Sequence, residues 1–303
     1  MADAMVMRRA SLIGVLVAAI ALPGAAQGSE LIARDATKIR LRVDRTGQAL
    51  VEYTVGRTRV HLLARGAINA RHPSRSRPQV AFKLDYSGGW KTKRRAVWRG
   101  FRNICGRYRG PQLAWFVRGC TMPDGSHWAL QRWQRMLPNY GLAPTRRRAA
   151  WELRLSHWIG PTAQLEVFPN WAYGRFDHLF GRLTYLGVAV HGFASTSRGN
   201  PLDAYGRNIY VDTLDSAYGP GWRRENSFLA HVSSGAFCYG LFAHGSRPSG
   251  KGTRYRATAI GPGVTPDVMW EGSAPGPYDR ARDAELANAQ RQLYGSDRLC
   301  RPV

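Results

Sequence analysis

The feature that most constrains this chain is a two-residue alternation of apolar side chains, repeated in short runs. Ile39, Leu41 and Val43 alternate in one stretch, Val51, Tyr53 and Val55 in the next, and Val80, Phe82, Leu84 and Tyr86 in a third. Successive side chains of a β-strand point to opposite faces, so each run offers one face to a core and one to solvent. The breaks carry turn chemistry: Asp44-Arg45-Thr46-Gly47, Gly56-Arg57 and Met122-Pro123-Asp124-Gly125. Further runs at Ala114–Arg118, Trp128–Trp133, Leu165–Phe168, Gly181–Tyr185, Val188–Phe193, Asn208–Thr213, Phe237–Phe242 and Thr253–Ile260 extend the pattern. Short strands with frequent turns predict a sandwich or barrel.

Two segments read as helical. Pro144 and Thr145 open a run of good helix formers from Arg146 to Leu153, although Leu153, Leu155 and His157 also alternate like a strand. Asp279–Tyr294 carries a capping aspartate at its start and Leu286, Ala289 or Gln290, and Leu293 on one face. The expected fold is mainly β, with two β-sandwich-like regions, a short helical piece between them and a C-terminal helix. The expected division is a signal peptide over 1–28, a basic β-rich domain over 29–140 and a β-rich domain with a C-terminal helix over 141–303.

The N-terminus has the layout of a secretory signal: Arg8-Arg9, an apolar run from Leu12 to Leu22, then Pro23-Gly24 and small residues. The run is short for a membrane span. Cleavage is expected near Ala26-Gln27 or Gly28-Ser29, giving a secreted or extracytoplasmic protein. Export makes an even cysteine count a disulfide signal. The expected bridges are Cys105–Cys120 and Cys238–Cys300. No CxxC and no Cys/His group with zinc spacing occurs, so neither a metal nor another cofactor is expected.

The formal charge is +24, from 44 basic and 20 acidic residues. Only five of the 44 are lysine: Lys38, Lys83, Lys91, Lys93 and Lys251. Residues 31–110 hold 20 basic and 4 acidic side chains, net +16; residues 111–303 hold 22 and 14, net +8. A field of this sign attracts polyanions. Outside a cell the expected partner is an anionic polymer or glycan, with peripheral contact to an envelope, rather than intracellular nucleic acid. The stretch Trp90–Arg109 interleaves Trp90, Lys91, Lys93, Arg94, Arg95, Trp98, Arg99, Arg102, Arg107 and Arg109. Its guanidinium and ammonium groups suit carboxylates, sulfates and phosphates. The competing reading is a solvated loop with its two tryptophans tucked into the core.

The leading candidate site is Gly199–His244, ahead of the basic stretch, because it is dense in residues that bind sugars or exchange protons. On a strand from Asn208, Tyr210 and Asp212 share one face, Asp215 follows the strand, and Gly219-Pro220-Gly221 reads as a loop presenting Trp222. Arg207, Tyr210, Trp222, Arg223 and Arg224 are candidate ligand contacts. Asp212, Asp215 and Glu225 are candidate carboxylates for glycoside hydrolysis, which needs an acid, a base or nucleophile, and a stacking surface. The competing reading pairs those carboxylates with Arg207, Arg223 and Arg224. GxSxG, HExxH, P-loop and strand-flanked GxGxxG motifs are absent, which weighs against several enzyme classes without deciding whether this is an enzyme. Trp115, Trp128, Trp133, Trp151 and Trp158 read as core. The leading expectation is a non-catalytic binding protein for an anionic polymer or glycan. The alternatives are a carbohydrate-active hydrolase and a structural envelope protein without a specific ligand.

Overall fold

A computed structural model describes residues 29–69, 80–90, 96–135, 150–190, 194–195, 201–202, 208–227, 235–242, 250–260 and 265–294. Residues 1–28, over which a signal peptide is expected, and Lys91 to Arg95, Arg207 and Cys300 lie outside these residues.

The N-terminal half builds nine strands: β1 (Ser29–Arg34), β2 (Thr37–Val43), β3 (Ala49–Val55), β4 (Thr58–Gly66), β5 (Phe82–Asp85), β6 (Gly106–Arg107), β7 (Phe116–Thr121), β8 (His127–Arg135) and β9 (Ala150–Trp158). They form two antiparallel sheets, ordered β1-β9-β8-β7-β6 and β2-β3-β4-β5. The inward residues of both sheets meet in one core. Val43, Val51, Tyr53 and Leu62 come from the second sheet; Ile32, Trp128, Leu130, Leu153 and Leu155 come from the first. The alternation read from the sequence is the alternation that builds this core. The tight β3–β4 turn forms where expected, with Val55 opposite Thr58 and Gly56 at φ 59°, a left-handed value that glycine adopts without steric cost.

The second half adds β10 (Gln164–Ala172), β11 (Phe176–Tyr185), β12 (Val188–Ala189), β13 (Ala194–Ser195), β14 (Pro201–Leu202), β15 (Asn208–Ser216), β16 (Gly219–Ser227), β17 (Ala236–Gly240), β18 (Arg254–Ile260), β19 (Val268–Ser273) and α1 (Arg280–Tyr294). One sheet has β10, β12 and β17 around β11; the other runs β13-β14-β15-β18-β19, with β16 also paired to β15. Their shared core includes Val167, Leu179, Leu183 and Phe237 from one sheet and Val211, Tyr255, Ala257 and Ala259 from the other. Helix α1 starts as expected: the Asp279 carboxylate accepts a hydrogen bond from the Arg282 backbone N–H at 2.9 Å. Its Leu286 and Tyr294 pack against Trp171 and Phe180.

Two local expectations need correction. The helical reading of Arg146–Leu153 fails from Ala150 onward, where the chain is strand β9. Residues 136–149 lie outside the described ones. Pairing on both sides with β1 and β8 overrides the helix-forming composition, and the Leu153/Leu155 alternation carried the correct signal. Strand β9 belongs to a sheet of the first half, and the strands of the second half begin after Trp158. Gly219-Pro220-Gly221 opens strand β16 instead of forming a loop.

Polar contacts join the halves. Gln131 and Asp267 exchange two hydrogen bonds at 3.0 Å: the Gln131 amide donates to the Asp267 carbonyl, and the Asp267 N–H donates to the Gln131 side-chain oxygen. Beside them the Trp115 indole N–H donates to Met269 Sδ at 3.3 Å.

The Cys105–Cys120 bridge ties the segment before β6 to β7. Cys238 is also disulfide-bonded. The first bridge spans 15 residues in sequence, and closing a loop of that size restricts the unfolded chain by about 3 kcal/mol. The double variant Cys105→Ser/Cys120→Ser is therefore expected to lose roughly 2–4 kcal/mol in denaturant melts while keeping its β-type circular dichroism.

Candidate anion-binding site

Strands β15 and β16 separate the residues of the Gly199–His244 candidate. Asp212 pairs with Arg224 and Leu214 with Trp222, so Tyr210, Asp212, Trp222 and Arg224 share the face turned away from the core. There Asp212 accepts bonds from Arg224 Nε at 2.5 Å and Nη2 at 3.2 Å, both side chains being buried. The Arg224 guanidinium also lies over the Tyr210 ring at 4.1 Å. Trp222 is covered by Arg256 at 3.9 Å, whose guanidinium also faces Trp115 of the first half at 5.4 Å and pairs with Glu271 at 3.2 Å.

Glu225 and Arg223 lie on the opposite, inward side. The Thr213 hydroxyl donates to Glu225 at 3.0 Å, and burial pushes that carboxyl up to about 7 against the hydrogen bonds of Thr213 and Tyr218, with the Asp212 charge adding to the rise. Asp215 sits at the hairpin with φ 50° and accepts the Gly221 N–H at 2.7 Å. The three candidate carboxylates thus face three different surroundings: an arginine clamp, the sandwich interior and a turn. Paired-carboxylate chemistry requires both groups to flank one bond, and this arrangement does not bring them together.

The basic stretch leads elsewhere. Trp90 is packed: its indole N–H donates to Gln48 at 2.6 Å and the Arg65 guanidinium covers its ring at 5.0 Å. The segment carrying Trp98 and Arg99 lies over the outer face of the β2–β5 sheet, where Trp90, Trp98 and Phe101 cover Leu50 and Leu63. It is held there by bonds at 2.8 Å from Ile104 N–H to the Val43 carbonyl and from Val43 N–H to Asn103. The rest of that outer face holds the hollow.

Strand pairing sets Arg40 opposite Glu52, and Glu52 opposite His61. Arg40, Arg42, Glu52 and Arg59 line a cavity of about 410 Å³ that Trp98 and Arg99 complete. A second hollow of about 260 Å³ shares Arg40, Glu52 and Arg59 and extends to Lys38 and Thr54. Glu52, with a side chain only 6% exposed, accepts bonds from Arg42 at 3.0 Å and Arg59 at 2.8 Å. Burial alone would raise its carboxyl, but the Arg59 bond and the charges of Arg42 and Arg59 outweigh that and hold it below the usual carboxylate range. His61 lies 3.3 Å from Glu52 and stacks on Trp98 with ring centroids 4.0 Å apart. Its burial lowers the imidazole below its ordinary value, against the pull of Glu52. Among the described residues Arg40 and Arg99 have no carboxylate within ion-pair distance.

Sequence reading singled out Trp98 and Arg99 but passed over Arg40, Arg42, Glu52, Arg59 and His61. The signal was available: Arg40 and Arg42 alternate with the apolar run Ile39, Leu41 and Val43, so both had to point away from the core. Among the described residues no group of three or more His, Cys, Asp or Glu could hold a metal ion, and no helix is long and apolar enough to cross a membrane. No family model matches this chain, nor does any curated protein or solved structure compared with it.

Two expected outcomes concern the buried carboxylates. Asp212→Asn leaves a buried guanidinium without its counter-charge and should cost about 3 kcal/mol in denaturant melts, with or without added glycan. Glu225 and Glu30 are both raised by burial from 4.5 to about 7, Glu30 with partial relief from Arg154. Each holds its proton more tightly folded than unfolded. Stability from these groups is therefore fully present below pH 4.5 and lost as pH rises through about 7. Thermal melts of Glu225→Gln should show a weaker decline between pH 5 and 8 than the unaltered protein, by up to roughly 3 kcal/mol.

Proposed function

We propose that this protein is a non-catalytic binding protein for an acidic glycan or related anionic polymer, and that the arginine hollow on the β2–β5 sheet is its binding site. One observation carries the reading: four guanidinium groups, Arg40, Arg42, Arg59 and Arg99, line one concavity with a single carboxylate. Four positive charges against one negative charge leave a local excess of three. Guanidinium forks match the planar or tetrahedral oxygens of carboxylate, sulfate and phosphate groups. Glu52 holds Arg42 and Arg59 in place, so the hollow is organised before any ligand arrives, which lowers the ordering cost of binding.

The N-terminal layout and the Cys105–Cys120 bridge support work outside the reducing cytoplasm. In that setting acidic polysaccharides of a wall, matrix or capsule are the polyanions within reach. The concentration of charge in residues 31–110 supports the same assignment, because the hollow draws all its cations from that segment.

The test is titration of the purified protein with polygalacturonate, a polymer of carboxylated sugars. Binding should weaken steeply between 50 and 300 mM salt, as screening and counterion release require (about tenfold or more). Arg40→Gln and Arg99→Gln should each reduce affinity about fivefold at low salt. Arg182→Gln, which removes the same charge from an exposed pair with Glu166 on the other sandwich, should leave affinity unchanged. Salt-insensitive binding, or equal effects from all three variants, would overturn the assignment.

A further inference from the structure

The two hollows on the β2–β5 sheet share three lining residues, Arg40, Glu52 and Arg59. They are two lobes of one furrow with that trio at its waist. Lys38 and Thr54 stand in the smaller lobe, and Trp98 and Arg99 in the larger. Cations therefore occur at both ends and in the middle, while the single carboxylate is confined to the waist, where two arginines neutralise it. A compact anion could occupy only one lobe. Using every cation at once requires a chain that crosses the waist with acidic groups on both sides.

We infer that the two lobes are adjoining subsites for one linear acidic polysaccharide, filled together by successive charged sugar units; this rests on the glycan reading above. The aromatic surroundings favour a sugar polymer over a nucleic acid. Base recognition on single strands depends on exposed ring faces for stacking. Trp98 has His61 stacked on its ring and the Arg99 guanidinium 5.3 Å from its centroid. Trp90 is packed beneath Arg65. Recognition in this furrow is by charge and hydrogen bonding along a backbone. Linking two weak subsites through one ligand makes the second contact intramolecular, so affinity grows with chain length even though no single contact is strong.

The experiment compares galacturonate oligomers of one, three and six units by calorimetry or competition at low salt. The hexamer is expected to bind at least about tenfold more tightly per molecule than the monomer. Lys38→Gln in one lobe and Arg99→Gln in the other should each weaken the hexamer about threefold or more, and the double variant should lose most of the length dependence. Both side chains are at the surface, and thermal melts of the variants are expected to match the unaltered protein. Binding that is equal for monomer and hexamer, or a hexamer affinity untouched by Lys38→Gln, would overturn the two-subsite inference while leaving the glycan reading in place. Failure of every oligomer and of polygalacturonate to bind would remove the reading itself. A single-stranded oligonucleotide of matched charge binding more tightly than the hexamer would overturn the assignment to a polysaccharide.

Discussion

A β-strand gives its core only every second side chain, and both sandwiches are arranged around that constraint. In the β2–β5 sheet the inward set, including Val43, Val51, Tyr53 and Leu62, builds the shared core. The outward set on the same strands, Arg40, Arg42, Glu52, Arg59 and His61, is left to face something else. The furrow is what that second set makes. Its precision comes from the core side: once the inward residues fix register, Arg40, Glu52 and His61 fall into line across three strands.

A face carrying several guanidinium groups would repel itself without a counter-charge. Glu52 provides one from a nearly buried position, accepting bonds from two arginines and lying beside His61. The same chemistry on the outward face of β15 and β16 has a different outcome. There Asp212 and Arg224 are both buried and closed on each other, while Arg256, layered between Trp222 and Trp115, links the face to the first sandwich. One outward face is open and cationic; the other is a packed seam. The difference lies in what covers each face, since both carry arginine, aromatic and acidic residues.

Much of the fold could be read from the chain. The alternation located most of the longer strands, turn residues located the β3–β4 hairpin and the Met122–Gly125 turn, and Asp279 marked the start of α1. The misreadings have a common physical origin. The 146–153 run has good helix formers, but its second half takes strand form because β1 and β8 offer it backbone partners on both sides. Gly219-Pro220-Gly221 resembles a loop, yet the chain beyond it pairs back on β15. Of the candidate residues, Trp98 and Arg99 were legible only as members of the longer basic and aromatic stretch Trp90–Arg109. Their meeting with Arg40 and Arg59 was not, because it depends on a segment about 40 to 60 residues further along the chain folding back over the sheet.

The sequence by itself determined which side chains share a strand face, where the strongest positive charge lies along the chain and how α1 is capped. These are local properties, set by backbone period and side-chain chemistry within a few residues. Tertiary structure decided which outward face stays open. It closed Asp212 on Arg224, placed Glu225 inside the second sandwich and left Arg40 and Arg99 without a carboxylate partner among the described residues. A strand's period fixes the direction of a side chain, but the groups that meet it come from distant segments, and only packing brings those together.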